Sequence, residues 1–209
     1  MKNILLFILS VLVFVSCASN KNKDNSDSSD KSSKVVNVTE LMKLEPGQKF
    51  FAVIKTNMGT IELQLFDKEA PKTVKNFVVL ADQHFFDGVI FHRVIKKFMI
   101  QTGDPTGTGR GGASIYGHPF ENELSANLKF DKPGVVGMAN AGPNTNQSQF
   151  FITVAPYPSL NLNYTIFGKV VKGMDVVNAI SEVPTNNMDK PYNDVVMEKV
   201  TIEKRKPAI

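Results

Sequence analysis

The chain has 209 residues, 42% hydrophobic and 21% charged, which is ordinary globular usage and excludes a wholly disordered, collagen-like or coiled-coil protein. A single cysteine excludes an intramolecular disulfide framework and every cysteine-cluster zinc site, and three histidines leave few ligands for a catalytic metal. The net charge of +4 thins out along the chain: from Val35 onward 19 Lys and Arg face 17 Asp and Glu, and Lys204, Arg205 and Lys206 form the one tight basic cluster. Nucleic-acid binding is therefore not expected, because it calls for a basic stripe interleaved with stacking aromatics.

Met1, Lys2 and Asn3 form a short positive region ahead of the apolar run Ile4 to Val15, which ends at Ser16-Cys17-Ala18-Ser19. A run of about 12 residues is short of the roughly 20 that cross a bilayer and has the layout of a secretory signal. With the sole cysteine at the cleavage position, it resembles a bacterial lipoprotein signal, although Phe14 stands where such signals usually carry an aliphatic residue. The expectation is a signal peptide over 1–16 and a lipid-anchored Cys17, in a cell envelope outside the cytoplasm. Residues 18–34 hold no aliphatic side chain larger than alanine and are read with Cys17 as a disordered tether. The folded domain is then 35–209.

Phe50 to Phe66 alternates apolar and polar residues on either side of Asn57, Met58 and Gly59, a hairpin signal. Pro71 opens a helix with Val74, Phe77, Val78 and Ala81 on one face, and Gly173 to Ser181 reads as a second helix through Met174, Val177 and Ile180. Strand-like runs follow at 89–95, 98–102, 135–140, 149–154, 165–171 and 196–203. Eight short strands with two helices predict a mostly β protein, a barrel or sandwich.

Two segments stand out for chemistry. Phe91 to Gln101 brings Arg93, Phe98, Met99 and Gln101 within reach of one patch on two antiparallel strands joined at Lys96-Lys97. Gly137 to Ile152 is a loop rich in Asn, Gly, Pro and Gln between two buried-looking strands, a surface suited to binding peptide. Other motifs fail on context. Gly107, Gly109 and Gly112 fit GxGxxG, but no strand leads into them and no helix follows, so the segment reads as a flexible loop and no dinucleotide is expected. His84, His92 and His118 have no metal-ligand spacing, and no serine sits in a nucleophile elbow.

FHRVIKKFMIQTGDPTGTGRGG, GMANAGPNTNQSQFFIT and TIFGKV, in that order within Phe50 to Lys204, resemble the cyclophilin family of peptidyl-prolyl cis-trans isomerases. The resemblance implies a closed eight-stranded antiparallel barrel capped by two helices, and catalysis of X-Pro rotation without cofactor or metal. It implies Arg93 as the catalytic cation and Phe98, Met99, Phe151 and Leu160 as the pocket for the proline ring. Gln101 would orient Arg93, the Asn140 main chain would pair with the residue before the proline, and His92, Ala139 and Gln149 would line the groove. The partners implied are proline-containing polypeptides; with the amino-terminal signal, the expectation is an isomerase that assists folding of exported proteins, and nothing in the sequence demands more than a monomer. Ser159 and Tyr164 replace the family's frequent Trp and His, so weakened binding of cyclosporin is expected. A surface-displayed module that binds proline peptides without turnover is the alternative, which retention of Arg93 disfavours.

Overall fold

A computed structural model describes residues 37–207, so the expected signal, Cys17 and the tether lie outside the described residues. The hairpin forms where alternation places it. β1 (Lys49–Thr56) pairs antiparallel with β2 (Gly59–Leu65), putting Phe50, Ala52, Ile54, Ile61, Leu63 and Leu65 on one buried face. The Thr56 hydroxyl donates to the Gly59 carbonyl at 2.7 Å and accepts from the Met58 amide at 3.0 Å, closing the turn. Gly59 needs its glycine: φ is +134°, and a Cβ would lie 2.7 Å from Val176 Cγ2.

α2 (Pro71–Asp82) buries Val74, Phe77, Val78 and Ala81, the face its spacing predicts. Its N-cap, Ala70, supplies no side-chain acceptor. Glu123 takes over from fifty residues away, its carboxylate accepting from the Lys72 amide at 2.9 Å, the Thr73 amide at 2.8 Å and the Thr73 hydroxyl at 2.8 Å. Those amides are the donors a helix start leaves unpaired, and the negative charge meets the positive end of the helix dipole.

β3 (Arg93–Ile95), β4 (Met99–Thr102), β5 (Val135–Met138), β6 (Phe150–Thr153), β7 (Ile166–Lys172) and β8 (Met197–Arg205) complete one eight-stranded sheet, ordered β3-β4-β6-β5-β7-β2-β1-β8 and antiparallel throughout. α3 (Met174–Ser181) buries Val177 and Ile180 as expected.

Three details differ from the sequence reading. The sheet is curled and not fully closed: β3 and β8 end the order and share no ladder. The gap is bridged instead by the segment before β3, where Gly88 N donates to Met197 O, Met197 N to Val89 O and Phe91 N to Val195 O, each at 2.8 Å. The predicted strand over 89–95 accordingly shrinks to Arg93–Ile95, because its first half is committed to this bridge. A third helix precedes the sheet, α1 (Val38–Met42), a single turn capped by the Asn37 side chain, which accepts from Glu40 N at 3.2 Å.

Candidate active site

Antiparallel register builds the site. Arg93 pairs with Gln101, Gln101 with Phe151 and Phe151 with Gly137, one row across β3, β4, β6 and β5. Residues directly opposite share a face, so a cation, an amide, an aromatic ring and a glycine stand side by side. The adjoining row, Val94, Ile100, Ile152 and Val136, points the other way into the main core. The site therefore lies on the outer face of the curled sheet, over a second apolar cluster of Met99, Phe130, Val135, Phe151 and Ile166. Gly137 is required by close approach: a Cβ there would lie 2.5 Å from Phe151 Cζ, so the ring lies across the glycine.

Over this row opens a cavity of about 160 Å³ lined by Arg93, Phe98, Met99, Gln101, Ala139, Asn140, Phe151, Leu160 and Tyr164. Cavities of roughly 150 Å³ hold a six-membered ring, so a proline ring fits. Its floor is rigid: Phe130 stacks on Phe151 at 5.6 Å between centroids, and Tyr164 meets Phe151 edge-on at 5.5 Å. Leu160 reaches the rim from a 3-10 turn, Pro158–Leu160. A second cavity of about 370 Å³ shares Gln101, Ala139 and Asn140 and adds Gly109, Arg110, Gly111, Ala141, Thr145, Gln147 and Gln149. Together they form a groove that continues past the smaller cavity.

Eight of the ten residues singled out as catalytic or substrate-binding line the first cavity. Gln149 lines the second and acts as a clasp: Gln101 Nε2 donates to its Oε1 at 2.9 Å, while its own Nε2 donates to Gly111 O at 2.7 Å and Gly109 O at 3.1 Å. His92 lines neither cavity. It is 6% exposed, with no hydrogen-bond partner for either ring nitrogen among the described residues. Burial pushes its imidazole below the ordinary value, and Arg93 and Lys190 add to the fall, while the Asp104 charge and the Gln149 amide pull against it. It is a buried imidazole next to Arg93 in the chain, held toward its neutral form.

The glycine-rich loop has a hydrogen-bonded centre that its composition does not show. It is wound around the buried carboxylate of Asp104, which accepts from the amides of Thr106 at 2.8 Å, Thr108 at 3.1 Å, Gly109 at 2.6 Å and Gly111 at 3.1 Å, and from the Thr106 hydroxyl at 2.7 Å. Burial alone would raise this carboxyl, but the hydrogen bonds from Thr106, Gly111 and Gly109 outweigh it and hold the pKa at about 2. Gly111 is indispensable, since a Cβ would lie 2.2 Å from Asp104 Oδ1.

Tyr164, Arg110, Thr145 and Gln147 also line the groove without being assigned a place in it from sequence. Asp189, which lines neither cavity, borders Arg93 at 3.6 Å between Oδ2 and Nε. Tyr164 was visible only as a departure from the family pattern. Asp189 has no local signal, because its partner lies 96 positions away and only the folded loop joins them.

The family model for cyclophilin type peptidyl-prolyl cis-trans isomerases matches residues 51–202. The chain is similar to "Peptidyl-prolyl cis-trans isomerase-like 1" of Neurospora crassa, 55% identical over 149 residues covering 71% of this chain and 91% of the relative. It is likewise similar to the human protein of that name, 56% identical over 146 residues covering 70% and 88%. A solved structure of a Cryptosporidium parvum cyclophilin type peptidyl-prolyl cis-trans isomerase superposes with a TM-score of 0.72 at 42% identity, covering 75% of this chain and 98% of that one. The chain belongs to the cyclophilin family and is a peptidyl-prolyl cis-trans isomerase. The expected location, a bacterial envelope with an anchor at Cys17, is overturned: these relatives are eukaryotic isomerases, not envelope lipoproteins. That reading rested on residues 1–34 alone, which lie outside both the matched span and the described residues. Among the described residues no helix is long and apolar enough to cross a membrane.

Proposed function

We propose that Arg93 is the catalytic cation of this isomerase and that Phe98, Met99, Phe151 and Leu160 hold the proline ring beside it. The supporting observation is the row Arg93, Gln101, Phe151 at the edge of a cavity sized for that ring. Partial double-bond character gives the peptide bond a barrier of about 18–20 kcal/mol. Twisting the X-Pro bond breaks that resonance and returns the lone pair to the proline nitrogen. A donor aimed there stabilises the twisted state and neither planar state, which is the differential binding that accelerates a reaction. The guanidinium suits this because it is always charged and presents donors in a fixed fork.

Gln101, directly across the ladder and fixed by Gln149, orients Arg93 and meets substrate backbone. The Asn140 side chain already accepts from Gly142 N at 3.2 Å, which leaves its main chain to pair with the residue before the proline. The substrates are proline-containing polypeptides; the Cryptosporidium parvum relative has been solved in the presence of the dipeptide ala-pro. Tyr164 stands in the cavity wall and Ser159 does not, the basis for weakened cyclosporin affinity.

Exchange NMR on a blocked Ala-Pro peptide with the full chain tests the reading. Wild-type protein accelerates cis-trans exchange; Arg93→Ala lowers kcat about a hundredfold or more, the cost of removing one transition-state donor. An Arg93→Ala protein of full activity overturns the assignment.

A further inference from the structure

Between α3 and β8 the chain makes an excursion toward the active-site edge of the sheet. Residues 184–191 form a small closed loop: Thr185 and Pro191 bridge, Asn186 N donates to Lys190 O at 2.9 Å, and Asp189 N donates to Asn186 O at 3.0 Å. The Asn186 side chain fills the interior, its Oδ1 accepting from Met188 N at 2.9 Å and Lys190 N at 3.1 Å. The loop is pinned to β3 by one main-chain bond, Val94 N to Asp189 O at 2.8 Å, next to Arg93 in the chain. Asp189 itself has φ +61°, a left-handed conformation that Asp and Asn tolerate far better than other side-chain-bearing residues. That backbone geometry accompanies a carboxylate whose Oδ2 lies 3.6 Å from Arg93 Nε.

We infer that Asp189 is a positioning residue for Arg93: it holds the Nε edge of the guanidinium, so that the terminal nitrogens face the proline pocket. The inference rests on the assignment of Arg93 as the catalytic cation. Arg93 opens a three-residue edge strand, and its side chain is 44% exposed, so packing alone leaves it several rotamers. Gln101 stands on the pocket side, across the ladder. Asp189 stands on the other side of the guanidinium, where a carboxylate attracts it without entering the pocket, since it lines neither cavity. His92, beside Arg93 in the chain, and Lys190, beside Asp189, carry no negative charge, so of these three Asp189 alone attracts the guanidinium. Because both partners are half-exposed, the effect is modest and salt-sensitive.

Asp189→Asn is the informative variant, because asparagine keeps the left-handed backbone and removes the charge. On an uncharged, end-blocked Ala-Pro peptide, with the full chain, kcat falls roughly threefold to tenfold while KM stays within about twofold, in keeping with loss of one exposed ion pair and an untouched pocket. Added salt brings the wild-type kcat down toward that of Asp189→Asn and leaves the variant unmoved. In an Arg93→Ala background, which has no cation for the carboxylate to hold, Asp189→Asn costs nothing further in the residual rate. An unchanged or increased kcat in Asp189→Asn, or an equal loss in both backgrounds, overturns the inference; the last result is what a merely structural loop residue gives. Full activity of Arg93→Lys and Arg93→Ala would instead overturn the assignment of Arg93, a distinguishable failure.

Discussion

Phe150 and Phe151 are neighbours in the chain and serve opposite faces. Phe150 enters the main core against Phe77 and Phe86, at 5.4 Å and 5.9 Å between ring centroids, while Phe151 floors the cavity beside Arg93. The period of two in a strand makes this split unavoidable, so of the two phenylalanines beside the amide-rich loop only Phe151 lines the cavity. What the sequence did not reveal is the role of Gly137, whose missing side chain lets the Phe151 ring lie flat over β5. Gly137→Ala puts a methyl into space the ring occupies, and Phe130 Cζ, 2.9 Å from that Cβ, blocks retreat on the other side. The ring must tilt into the pocket, an overpacking cost of about 1–3 kcal/mol. The expected result is a KM raised about tenfold with the Arg93-dependent kcat largely kept, measured by exchange NMR. An unaltered KM would mean that the ring has another way out.

At the scale of elements, alternation in the first hairpin, short apolar runs in the later strands and helical spacing in the two longer helices located these elements, because each has apolar surface to bury. These patterns failed where structure depends on a distant partner. Nothing around Pro71 shows what caps α2, since the capping carboxylate comes from Glu123. Val89, Ile90 and Phe91 open the strand-like run over 89–95, but main-chain groups of 88–91 go to Val195 and Met197. α1 is a single turn with no buried residue and so leaves no periodic trace. The capping arrangement makes a prediction. Glu123→Gln keeps one acceptor oxygen and loses the charge; Glu123→Ala loses both. Stability is expected to fall by about 1 kcal/mol in the first and about 2 kcal/mol in the second, read as midpoint shifts in urea. Similar losses in the two would mean that charge, not hydrogen bonding, dominates at this helix start.

The whole molecule couples its acid stability to its substrate groove. Asp104 has a folded pKa of about 2 against roughly 3.9 in an unfolded chain, so its contribution is present above pH ~4 and is lost as the pH falls toward 2. That difference is on the order of 2 kcal/mol. His92 has a folded pKa below its unfolded value of about 6.5, so the folded state prefers it neutral. Its contribution is present above pH ~6.5 and is lost as the pH falls below that. Acid therefore destabilises the protein in two steps, one from each residue. Asp104→Asn is expected to flatten the lower step and His92→Gln the upper one in urea midpoints measured from pH 8 to pH 3. The two variants part company in activity. Asp104 organises the loop whose Gly109 and Gly111 carbonyls hold Gln149, and Gln149 holds Gln101 beside Arg93. Asparagine accepts through one oxygen where the carboxylate uses two, so at neutral pH Asp104→Asn is expected to lower kcat/KM severalfold even where the protein remains folded. His92→Gln leaves that chain of contacts standing and changes kcat/KM less. Equal loss of activity in both would mean that the loop and the Gln149 clasp do not carry the coupling, and that the buried imidazole next to Arg93 does.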